Sequence, residues 1–163
     1  MKKTISIIIS IAMCAMLASC GGVKNEVSDT EQPTLIDTMS LEEKVGQILF
    51  VRCVDDEQTD DLMSIKPGGI LMFGRDFEGL TKDEEKEKIQ SYQDKSDIPL
   101  IIGADEEGGT VVRVSSNPNL APEKFKSPQE IYNEGGMDAV VENATEKSEL
   151  LLSLGVNMNL APV

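Results

Sequence analysis

Apolar residues fall in short blocks along this chain, and charged or small polar residues fill the intervals. The first block runs from Thr4 to Leu17, behind a basic Met1-Lys2-Lys3 start. As a helix it rises only about 21 Å, short of a bilayer core of about 30 Å. A basic start, a short apolar run and small residues behind it predict an export signal over residues 1–19 rather than a membrane span. A buried N-terminal helix is the alternative. Lys2 and Lys3 speak against it, as does Gly21-Gly22, which stops any helix. Residues 20–38 are polar and mixed, and read as a tether.

The later blocks alternate between two kinds. Ser40-Leu41-Glu42-Glu43 has the form of a capping box and predicts a short helix over roughly 40–47. Ile48 to Val51 is a continuous apolar run, apt for a buried strand. Pro67-Gly68-Gly69 makes a turn before a second such run, Ile70 to Phe73. Thr81 opens a charged helix reaching Lys95, with Glu84 as its box partner. Ile98 to Ile102 is the third apolar run, ended by Gly103. An irregular stretch rich in Pro and Asn follows. Residues 137–154 then form an amphipathic helix with Val140, Val141, Ala144, Leu151 and Leu152 on its inner face, stopped by Gly155. Val156 to Leu160 is the fourth strand. Strands apolar throughout and separated by helices mean a parallel α/β sheet. An open doubly wound sheet and an eight-stranded barrel both satisfy the pattern. No G-x-G-x-x-G follows the first strand, so a dinucleotide site has no support.

Charge and cysteine content narrow the function. The chain has 163 residues with 15 basic and 29 acidic side chains and no His. Losing residues 1–19 removes two lysines and no acid, which argues against a nucleic-acid partner. Of the three cysteines, Cys14 leaves with the signal. Leu17-Ala18-Ser19-Cys20 resembles the bacterial lipobox, in which the Cys becomes the lipidated first residue. That resemblance implies a protein tethered outside the cytoplasm, its Cys20 thioether carrying acyl chains into a bacterial membrane. Cys53 is left alone and reads as a small core residue, without an intrachain disulfide.

The segment with the most chemistry is Asp105 to Arg113, directly after the third strand. Three adjacent carboxylates are prohibitive to bury without partners, so all three are expected at the strand's C-terminal mouth. Ligands bind at that end in parallel α/β folds. Gly108-Gly109 lets the backbone turn without a side chain in the cleft. Arg113, eight residues on, can fold back with a planar set of donors. A carboxylate facing a guanidinium suits a polyol, through charge-assisted hydrogen bonds. A merely solvated acidic loop paired with Arg113, or a chelated hard cation, fits the composition as well. The first alternative leaves no site, and the second lacks a visible second oxygen cluster. No metal or cofactor is therefore assigned.

Asp105-Glu106-Glu107-Gly108-Gly109-Thr110-Val111-Val112-Arg113 resembles the D-x-E-G-G-x-V-x-R segment of family 3 glycoside hydrolases, above all the β-N-acetylhexosaminidase-like branch. Met39 to Gln47 is similar to the family's opening helix, and Gly68 to Phe73 with Arg75 to its second strand. Leu154 to Val163 is similar to the end of the next helix and the fourth strand. The resemblance implies a (β/α)8 TIM-type barrel over residues 39–163, of which the first four strands are present. It implies hydrolysis of terminal β-linked sugars with retention, β-N-acetylglucosaminides foremost and β-glucosides second. Asp105 and Arg113 are then substrate-binding residues, and Glu107 matches the motif without a defined role. The family's nucleophilic Asp and its Lys-His pair lie beyond Val163, so no catalytic residue is assigned, and residues 39–163 alone are expected to be inactive. A membrane-anchored lipoprotein that binds sugar without catalysis is the competing function.

Overall fold

The computed structural model describes residues 34–52 and 56–162. The signal, Cys20, the tether up to residue 33 and Cys53 lie outside the described residues.

Local sequence starts each long helix. After a one-turn helix α1 (Leu35–Thr38), α2 spans Leu41–Ile48 behind Ser40. The Glu43 N–H donates to Ser40 Oγ at 3.2 Å, and the Ser40 N–H donates to Glu43 Oε2 at 2.8 Å. Helix α3 spans Asp56–Ser64 and α4 spans Lys82–Gln93, the latter behind a Thr81–Glu84 box. Helix α5 runs Pro128–Leu154 behind a Ser127–Glu130 box, with Pro128 pre-set for the first turn. It breaks once, at Gly136, where φ is 68°. Gly155, at φ 96°, closes it in the left-handed conformation that glycine adopts without cost.

Four short strands, β1 (Phe50–Arg52), β2 (Gly69–Met72), β3 (Ile101–Ala104) and β4 (Met158–Asn159), form one parallel sheet in the order β1-β2-β3-β4. Val51 pairs with Ile70, Ile70 with Ile102, and Gly103 with Met158. Each strand lies beside its predecessor with no reversal of direction around the sheet. The common doubly wound orders, 3-2-1-4 and 2-1-3-4 over their first strands, reverse within those four, so this order is that of a barrel, the first four strands of a (β/α)8 type. The ring of Phe50 lies over the backbones of Gly69 and Gly103, where any Cβ would collide with it.

On the other face Ile70, Met72, Ile102 and Ala104 pack against Phe77, Ile89, Tyr92, Leu151 and Leu154, all buried. Three of the strands, β1, β3 and β4, begin later than the apolar runs suggest. Ile48 belongs to α2, and Pro99 and Leu100 precede β3, because pairing begins only where the parallel neighbours reach register. The inner face of α5 also differs from expectation. Val141, Ala144 and Leu152 are exposed, while Lys147, Leu151 and Leu154 are buried. Their spacings of four and three set the true stripe, and a lysine occupies one of its core positions.

Candidate active site

Residues 105–113 leave the C-terminal end of β3, and neighbouring elements hold them there. Asn159 of β4 mimics a further strand. Its Oδ1 accepts from the Glu106 N–H at 2.9 Å, and its Nδ2 donates to the Glu106 carbonyl at 3.0 Å. The N–H groups of Glu107 and Gly108 both donate to the Val111 carbonyl at 3.0 Å, closing a tight turn. The Gly109 N–H donates to the Phe125 carbonyl at 2.8 Å. Gly108 sits at φ 104°, and a Cβ there would run into the Lys126 carbonyl. Gly108 is therefore required both by conformation and by space, and Gly109, at φ 67°, by conformation.

This frame brings the two expected binding residues together. Arg113 Nη2 donates to Asp105 Oδ2 at 3.3 Å, and each side chain keeps about a quarter of its surface exposed, 27% and 26%. The aliphatic part of Arg113 lies against Gly74, just past β2. Its Nε is buried with no hydrogen-bond partner among the described residues. Asp105 Oδ1 remains as an acceptor beside it. Arg52 covers the Phe73 ring at 4.6 Å, lining the same strand ends.

Glu106 is not at the mouth. It is fully buried, contrary to the expectation that all three carboxylates would face the cleft. Its Oε2 accepts from the backbone N–H groups of Arg113, Val114 and Ser115 at 2.8, 2.6 and 3.4 Å, and its Oε1 accepts from the Ser115 hydroxyl. A carboxylate so solvated by donors can be buried. Turned inward, it clamps the backbone on which Arg113 stands. Glu107 is half-buried and lines a cavity of about 280 Å³ with Lys147 and Asn159. Lys147 Nζ donates to the Glu107 carbonyl at 2.6 Å. Burial pushes the pKa of that ammonium below the usual lysine range, while Glu106 and Glu107 pull it back.

Asn159 and Lys147 escaped the sequence reading. Each leaves a trace there, an Asn inside an apolar strand and a Lys on the buried stripe of a helix. A larger concavity of about 780 Å³, lined by Leu41, Val45, Leu49 and Ile65, lies at the strands' N-terminal end, away from this chemistry. Among the described residues no group of three metal-ligating side chains occurs.

Residues 40–163 match the family described as the glycosyl hydrolase family 3 N terminal domain. The chain belongs to glycoside hydrolase family 3. Among solved structures, a β-N-acetylglucosaminidase of family 3 from Paenibacillus sp. str. FPU-7 superposes with a TM-score of 0.66 and 25% identity, over 76% of this chain and 24% of that one. A fungal multi-domain family 3 β-N-acetylglucosaminidase gives 0.62 and 25%, over 76% and 15%. A family 3 glycosyl hydrolase from Mycobacterium smegmatis gives 0.63 and 22%, over 77% and 36%. This chain thus spans from 15% to 36% of the structures it resembles. No curated protein matches it. In barrel enzymes the active site is built at the C-terminal end of the strands, and Asp105 and Arg113 stand at that end here.

Proposed function

We propose that Asp105 and Arg113 form the −1 sugar-binding edge of a retaining family 3 glycosidase that removes terminal β-N-acetylglucosamine. The observation that carries this reading is their ion pair at the exit of β3, part-exposed and held by a hydrogen-bonded backbone. Asp105 Oδ2 faces Arg113, so Oδ1 can accept hydrogen bonds from sugar hydroxyls while Arg113 offers its remaining N–H groups. These bonds tighten as the ring flattens toward an oxocarbenium-like transition state. No nucleophile or general acid is assigned within the described residues. The preference for an N-acetyl sugar draws support from the Paenibacillus and fungal structures, both β-N-acetylglucosaminidases.

The test is turnover by the complete polypeptide of an aryl β-N-acetylglucosaminide against an aryl β-glucoside. Faster turnover of the first is the expected outcome. Binding of both without turnover would favour the sugar-binding lipoprotein instead. The proposal extends to the anchor: Leu17-Ala18-Ser19-Cys20 supports lipidation of Cys20 and an extracytoplasmic, membrane-tethered enzyme. Cys20→Ala should then release the protein from the membrane fraction or halt its processing. Normal cleavage with full retention on membranes would contradict it.

A further inference from the structure

Lys147 lies on α5 at a position where the helix period asks for an apolar residue, four before Leu151 and seven before Leu154. It is 7% exposed. Burying an ammonium is costly, and an apolar side chain of the same length would serve helix–sheet packing at least as well. The contacts of its ammonium lie at the site. Its Nζ donates to the Glu107 carbonyl at 2.6 Å and stands 5.4 Å from the centre of the Phe125 ring. Phe125 is the residue whose carbonyl accepts the Gly109 N–H.

We infer that Lys147 is a positioning residue for sugar binding: it fixes the Glu107 carbonyl and thereby the segment that carries Asp105. The inference rests on the reading of Asp105 as a sugar-binding residue. Residues 106–109 are held from three directions, by Asn159 on Glu106, by Phe125 on Gly109, and by Lys147 on Glu107. Of these, the Lys147 contact alone comes from a helix and carries charge. Gly108 and Gly109, both at positive φ, give this segment wide backbone freedom when it is not held. Without Lys147 the Glu107 carbonyl loses this charged contact, and the segment that carries Asp105 is held less tightly beside Arg113. Misplacement of a binding group by about 1 Å can cost up to roughly a hundredfold in rate.

The experiment uses the complete polypeptide and whichever aryl glycoside the wild type turns over. Lys147→Met keeps the length of the side chain and removes the charge. Its melting temperature should stay within about 3 °C of wild type or rise, since exchanging a buried charge for an apolar chain is often neutral or stabilising. Its kcat/KM should nevertheless fall about tenfold, chiefly in kcat, because the lost precision matters most in the transition state. Lys147→Arg, which keeps a cationic donor, should recover activity to within about threefold of wild type. A merely structural lysine predicts the reverse for Met, lost stability with unchanged kcat/KM. That result, loss of the fold, or equal losses in Met and Arg overturns the inference. Asp105→Ala run in parallel separates the two claims. If Asp105→Ala is crippled and Lys147→Met is not, only this inference fails. If Asp105→Ala is also unaffected, the sugar-binding reading fails with it.

Discussion

Glu85 of α4 has no exposed surface, and neither carboxylate oxygen meets a hydrogen-bond partner among the described residues. Loss of hydration pushes its pKa up to about 7, with Lys88 opposing the shift and Asp76 adding to it. The folded state therefore binds this proton more tightly than the unfolded state does. Stability contributed by the protonated form is present at mildly acid pH and declines as pH rises through about 7. Glu85→Gln should remove that slope, and above neutrality it should stabilise the protein by about 1–3 kcal/mol. Urea midpoints near pH 5 and about pH 8 measure this, and an unchanged slope in the variant would contradict the assignment. At this scale the sequence was a partial guide. The meeting of Asp105 and Arg113 at the exit of β3 is legible from a strand running into D-E-E-G-G followed by an arginine. Glu106 is not, because its partners are the backbone N–H groups of Arg113 to Ser115, and backbone donors have no signature in side-chain pattern.

Among the elements, helix starts are easily read and strand bounds are not. Ser40–Glu43 and Thr81–Glu84 fix their helices by local bonds that depend only on adjacent residues. Strand ends depend on partners far along the chain, so β3 begins at Ile101 rather than Ile98. Helix α3 is not legible in the sequence, because Asp56-Glu57-Gln58-Thr59-Asp60-Asp61 shows too few apolar positions to declare a period. The start of α5 carries the same kind of capping box at Ser127–Glu130, but Gly135-Gly136 interrupts the apolar pattern that follows and hides it. The turn at 107–111 makes a sharp prediction. Gly108→Ala forces a Cβ against the Lys126 carbonyl at a φ that alanine resists. It should cost about 2–4 kcal/mol of stability, and activity should fall with it. A variant as stable as wild type in urea would show that the turn is not held as described.

At the scale of the whole molecule, the sheet ends in two edges, β1 and β4. Leu41, Val45, Ile48, Leu49 and Phe50 are exposed beside the first, and Val141 and Leu152 on the flank of α5. Apolar surface of this extent beside an open edge asks for cover. A polypeptide of residues 34–163 alone should bind a hydrophobic dye and unfold without a sharp transition. A cooperative, dye-free monomer would mean that these four strands suffice by themselves. The topology was legible from four apolar blocks separated by helices. The choice of barrel over open sheet came from resemblance, because both produce the same blocks, and the unreversed order β1-β2-β3-β4 settles it in the structure.

The central claim is that the exit of β3 holds the sugar, and Asp105→Ala in the complete polypeptide tests it most directly. Asp105 is part-exposed and bonded to Arg113, so its loss should leave the melting temperature within a few degrees of wild type, by about 1 kcal/mol or less. Each lost charge-assisted bond to a hydroxyl should cost about 1.5–3 kcal/mol in the transition state, a fall in kcat/KM of roughly ten- to a hundredfold per bond. A folded Asp105→Ala enzyme with that loss on its preferred aryl glycoside is the predicted result. Turnover equal to wild type would take Asp105 out of the active site and contradict the account.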